Sequence, residues 1–138
     1  MLGSPPSRQG VLADSGFGND PLATQLYALA RNRYNGRGPA AARGYLETAL
    51  DLRPDFHRAR ILYGRVLWHA GEVAHAEELW RSTLRELDAQ APAKLKMDVL
   101  YELAWGEADR GRFAAAHELL AEMAPLAAAE PDLRPALL

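Results

Sequence analysis

The chain contains no cysteine. That absence removes disulfide frameworks, thiolate zinc sites and cysteine nucleophiles together. An excess of charge of one sign is missing too: 16 Lys and Arg stand against 18 Asp and Glu, for a formal net charge of -2. Proteins that track phosphates carry a clear basic excess, so no nucleic acid partner is expected. No apolar run approaches the roughly 20 uncharged residues that a membrane span needs, and no membrane partner is expected. Residues 1–20 mix Gly, Ser, Pro and charges without the apolar stretch of a secretory signal. The cytoplasm is the expected compartment, with the periplasm the alternative for a piece of a membrane-anchored protein.

What is present is a length and balance suited to one soluble globular domain. The chain has 138 residues, 49% of them apolar and 25% charged, enough for a packed core and too few for two ordinary domains. The charge is uneven along it. Residues 23–56 carry five Arg against three acids, and residues 92–138 carry five basic residues against eight acids.

Residues 1–20 read as a flexible arm, rich in Gly, Ser and Pro. Order is expected from Asp20, a good N-cap, with Pro21 at the first helical position. Leu22, Leu26, Leu29 and Ala30 recur at helical spacing and predict one face of a first helix, broken by Asn35, Gly36 and Gly38. Pro39 opens a second, with Ala42, Tyr45, Leu46, Ala49 and Leu50, which ends before Pro54. Asp55 is placed to cap a third, holding Ala59, Leu62, Tyr63, Val66 and Leu67 and ending at Ala70-Gly71. A fourth runs from Val73 into the Leu84–Leu87 region. A fifth begins at Pro92 and ends at Gly111. A sixth carries Phe113, Ala116, Leu119, Leu120 and Met123 and is closed by Pro125, leaving residues 125–138 as a Pro/Ala-rich tail. No segment alternates as a strand does. The fold class expected is all-α.

The helices repeat. Laying residues 23–56 over those from His57 onward, at an offset of 34, puts Ala30 over Gly64, Ala42 over Ala76, Leu46 over Trp80 and Leu50 over Leu84. A third copy, displaced by six extra residues, aligns Ala104, Gly111, Phe113, Ala116 and Leu120. Small residues at these positions let paired helices approach. A large side chain there would overpack the crossing at a cost of roughly 1–3 kcal/mol.

A 34-residue helix–turn–helix unit with small residues at the crossings and Pro54 at its end resembles the tetratricopeptide repeat. The resemblance covers residues 21–124, in repeats of about 23–56, 57–91 and 97–124. Repeat one departs from the pattern with Arg37 at the turn-glycine position, repeat two lacks the closing proline, and the extra residues before repeat three suggest longer fourth and fifth helices. The resemblance implies a right-handed superhelical solenoid of antiparallel helix pairs that binds a protein or peptide and needs no cofactor. It also implies that the first helix of each pair lines a concave groove. Carried over position by position, the groove residues are Tyr27, Arg31, Tyr34 and Asn35 in repeat one, Ile61, Arg65, Trp68 and His69 in repeat two, and Tyr101, Trp105 and Asp109 in repeat three. Aromatic and Arg side chains favour protein binding. Arg31 and Arg65 share one repeat position, suited to forking onto a carboxylate. The bland alternatives stay open: the aromatics as packing between repeats, the Arg as solvated surface. The members of this family that clamp a C-terminal carboxylate use Lys and Asn where Tyr27 and Arg31 stand, so the chaperone C-terminal motif is not the expected ligand.

Catalytic and metal motifs do not emerge. His57, His69, His75 and His117 form no HExxH pattern, Gly36-Arg37-Gly38 follows no strand, and Ser4, Ser7, Ser15 and Ser82 have no His and acid at motif spacing. An enzyme is not expected. The last helix pair is followed by no polar capping helix, so its apolar flank is expected to meet another chain or a continuation. This supports the alternative reading: a regulatory domain or one that forms a homodimer through the C-terminal repeat, as a piece of a larger bacterial transcription regulator carrying such repeats.

Overall fold

The computed structural model describes residues 20–87 and 89–129; the N-terminal arm up to residue 19 and the tail from residue 130 lie outside them. Among the described residues there is no strand. The helices are α1 (Pro21–Arg37), α2 (Pro39–Leu52), α3 (His57–His69), α4 (Val73–Glu86), α5 (Ala93–Asp109), α6 (Phe113–Ala121) and α7 (Met123–Ala128). No helix among the described residues is long and apolar enough to cross a membrane. The chain forms two compact units that divide after Gly71, inside the second sequence repeat.

In the first unit, the Asp20 carboxylate accepts from the Leu22 and Ala23 N–H groups at 2.9 and 3.3 Å, capping α1 as expected. Helix α1 does not break at Asn35 and Gly36. It runs to Arg37, and Gly38 turns the chain at φ +100°, a region that side chains disfavour. One residue thus separates α1 from α2, and the two helices fold back on each other. Helix α3 packs on α2. The core joins Ala23, Ala30, Ala42, Leu46, Phe56, Ala59 and Val66, flanked by half-buried Tyr27, Tyr34 and Tyr45.

The buried face of α1 differs from the one expected. Leu22 and Leu29 stand 52% and 42% exposed, while Ala23 and Ala30 are fully buried. The stripe that faces α2 is Ala23, Tyr27, Ala30 and Tyr34. The alanines admit a neighbouring backbone and the tyrosine rings fill the space beside them, so side-chain size alone misidentifies the face. Asp55 does not cap α3 either: its N-cap is Phe56, which has no side-chain acceptor. Asp55 instead lies 3.7 Å from Arg53 Nε.

In the second unit, α4 packs on α5, α5 on α6, and α7 against both α5 and α6. Helix α4 is not longer than its counterpart, at 14 residues like α2. The six extra residues extend the start of α5, 17 residues against 13 in α3, and lengthen the connection at residues 87–92. Pro125 does not close α6. That helix ends at Ala121, and Pro125 lies in the first turn of α7, where a missing N–H costs no helical hydrogen bond.

The small repeat positions are buried throughout: Ala30, Gly64 and Ala104 on the first helices, and Ala42, Ala76 and Ala116 on the second. Gly71 and Gly111 share a repeat position and both adopt positive φ, +89° and +78°. Replacing Gly111 by alanine is expected to destabilise the protein by about 1–2 kcal/mol, because the left-handed conformation crowds a Cβ. Gly44, inside α2, has no neighbouring atom within 4 Å of the point where a methyl group would stand. It should respond oppositely: Gly44→Ala gains about 0.5–1 kcal/mol. Urea denaturation of both variants checks the pair of signs.

Candidate functional site

The residues singled out on the first helices divide by exposure, unit by unit. In the first unit, Tyr27 is half-buried and packs against the core. Its ring meets Phe56 at a centroid distance of 5.1 Å and an interplanar angle of 55°. The Arg31 guanidinium lies 5.7 Å from the centre of that ring, and the residue is exposed. Tyr34, half-buried, packs on the same core. Asn35 is exposed. On α3, Ile61 and Trp68 are only 9% and 8% exposed and offer a ligand little surface. Arg65 is half-buried, and His69, the last residue of α3, is exposed. The first unit therefore presents polar and cationic groups at these positions, while its aromatics serve as packing.

The second unit reverses that distribution. Tyr101 on α5 is 51% exposed, Trp105 is half-buried, and Asp109 at the end of the helix is exposed.

Two polar clusters join residues that the repeat pattern does not single out. On the first unit, Tyr63 Oη donates to Glu47 Oε2 at 2.8 Å, and Arg43 Nε donates to the same oxygen at 3.0 Å. This links α2 to α3 through a shared carboxylate. On the second unit, the Glu107 side chain is 7% exposed and is surrounded by three guanidinium groups: Arg110 at 3.3 Å, Arg112 at 3.4 Å and Arg81 at 3.5 Å. Glu77 completes the network, 3.0 Å from Arg110 and 3.3 Å from Arg81. Glu77 and Arg81 belong to α4, Glu107 to α5, and Arg110 and Arg112 to the turn that follows, so the network fastens the end of α5 to α4. The turn reinforces it, since with Gly111 at positive φ the Arg112 N–H returns to the Glu107 carbonyl at 2.8 Å.

A signal for Glu107 exists in the sequence. Its repeat position is that of Leu67, which is fully buried. A carboxylate at an interior position requires countercharges, and Arg110 and Arg112 follow closely in sequence.

Chemically, the exposed and half-buried polar groups of the first unit suit recognition of an anion. Arg31 and Arg65 are donors that fork onto carboxylates, beside the amide of Asn35 and the imidazole of His69 on the same helices. No group of three or more His, Cys, Asp or Glu able to hold a metal occurs among the described residues. Compared with protein-family models, curated proteins and solved structures, the chain matches none of them.

Proposed function

We propose that the chain is a non-catalytic, cytoplasmic helical-repeat module of the tetratricopeptide type that holds an acidic peptide segment of another protein. The observation that carries this reading is the in-register burial of small residues at Ala30, Gly64 and Ala104 and at Ala42, Ala76 and Ala116, combined with cations left at least partly open at Arg31 and Arg65. The 34-residue offset puts Arg31 and Arg65 at equivalent positions of α1 and α3. The ligand surface is then the Arg31, Asn35, Arg65 and His69 set of the first unit, with the Tyr27 ring beneath Arg31.

The test is a titration of a fluorescein-labelled library of Asp- and Glu-containing peptides, followed by anisotropy. Arg31→Ala combined with Arg65→Ala should weaken capture at least tenfold, or about 1.4 kcal/mol, with the far-ultraviolet circular dichroism unchanged. Equal capture by the double variant removes the cationic set from the binding surface.

A second reading, association between copies as a regulatory or oligomerisation device, is favoured by a different observation: Phe113 and Leu120 on α6 stand 70% and 45% exposed.

A further inference from the structure

Most of the exposed residues of α6, Glu118 apart, form one largely apolar stripe. Phe113, His117 and Leu120, with Ala114 and Ala121 beside them, are spaced as one helix face, and all five are exposed. Inside the chain the repeat position of Leu120 is never left open: Leu46 and Trp80, its counterparts, are fully buried. Leu46 shares its core with Phe56 and the α3 residues Ala59 and Val66, as well as with Ala23 and Ala30 of α1, and α3 packs on α2. At this position, then, the second helix of one repeat receives the first helix of the next.

The other half of that interface is exposed at α1. The α1 residues equivalent to Phe56, Ala59, Tyr63 and Val66 are Leu22, Gln25, Leu29 and Asn32. All four are exposed, the two leucines by 52% and 42%. Where α5 uses the same positions to pack on α4, Val99 is fully buried, Leu103 is 2% exposed and Gly106 is buried. Among the described residues, one first-helix flank and one second-helix face thus stay exposed, α7 packing on α5 and α6 without covering Phe113 or Leu120; they are the two sides of a contact made internally between α2 and α3.

Their charges agree with such a pairing. Helix α1 carries exposed Arg31 and Arg37 and no acid, its third cation, Arg33, being turned toward the Tyr45 ring of α2. Helices α6 and α7 with the residue between them carry Glu118 and Glu122 and no Lys or Arg.

We infer that copies of this chain associate head to tail, the Leu22–Leu29 flank of α1 in one copy packing on the Phe113–Leu120 face of α6 in the next. The inference deepens the second reading above and rests on the chain being a helical repeat. The contact is heterologous, so each copy keeps one free side after pairing, and assembly proceeds past two copies until a ring closes or growth stops for lack of protein. Gln25 and Asn32 interrupt the apolar flank, which makes the association weaker than the internal α2–α3 contact and dependent on concentration.

Sedimentation velocity and light scattering of the full chain from micromolar to millimolar concentration provide the test. The weight-average mass should rise beyond two copies. Leu22→Glu with Leu29→Glu blocks the head, and Leu120→Glu blocks the tail. Each blocked protein alone should stay monomeric, and an equimolar mixture should stop at a pair, because one intact head meets one intact tail. Phe113→Glu, at a more exposed position, serves as a second tail block if Leu120→Glu lowers the helix content. A wild-type mass that stays at one copy, or that stops at two, overturns the inference. So does a head-blocked protein that still dimerises through α6. The head-blocked variant also separates this inference from the peptide-binding reading: it retains Arg31 and Arg65, so loss of assembly with peptide capture intact concerns the stacking alone.

Discussion

Truncating Trp80 to alanine should lower the stability of the protein by about 3–5 kcal/mol. Trp80 is the largest fully buried side chain, and its α4 position is the counterpart of Leu46 in α2. Removing the indole takes away its transfer free energy and leaves a cavity that the neighbouring backbone fills only in part. Domains have roughly 5–15 kcal/mol of stability in all, so the loss would consume a large share and bring the urea midpoint close to native conditions. The slope of the urea transition should stay constant. A cost under about 1 kcal/mol would mean that the helices collapse into the space and that close packing at this position is not what stabilises them.

Glu107→Ala is expected to cost about 2–3 kcal/mol, the loss of charge-assisted hydrogen bonds around a buried carboxylate. The cost stays below the upper range for broken buried pairs because the guanidinium partners keep contact with water: their side chains are 26%, 43% and 59% exposed for Arg110, Arg81 and Arg112. Glu77 remains to hold two of the three. Arg112→Ala, which removes only the most exposed partner, should cost less than about 1 kcal/mol. Chemical denaturation of the two variants distinguishes a carboxylate that organises the turn from one that merely tolerates burial. Equal costs for both substitutions would contradict the central place given to Glu107.

These two positions also show how far the amino-acid order can be read. The helices, their turn glycines at Gly71 and Gly111 and the small residues at the crossings are legible, because backbone preference and steric exclusion act locally and leave a repeating mark. The α1 face is misleading in sequence because Leu22 and Leu29 share a helical stripe with no helix packed on it, while Ala23 and Ala30, poor in apolar area, are what a close crossing demands. Pro125 reads as a stop because proline ends helices from within, yet it is tolerated in a first turn. Glu107 is legible in part: its repeat position and the nearby Arg110 and Arg112 point to a buried, paired carboxylate, whereas the contribution of Arg81, a residue of another helix, leaves no periodic trace. For the candidate site, the cationic positions Arg31 and Arg65 follow from the repeat alone. The division of the aromatics between packing and surface does not: Tyr27 packs against the core while Tyr101, at the same repeat position, is exposed, because the packing around each differs from one repeat to the next.

The single-residue link at Gly38 bears on how the first unit forms. Helices α1 and α2 meet across one residue, and α3 joins α2 across a connection of four, residues 53–56. Each step of assembly therefore closes only a short loop, and the chain entropy lost at closure grows slowly from a small starting value. Folds dominated by such local contacts reach the native state quickly, in microseconds to milliseconds. A hairpin of helices hinged at Gly38 is then a natural nucleus, formed before the leucines of its outer flank have met anything at all.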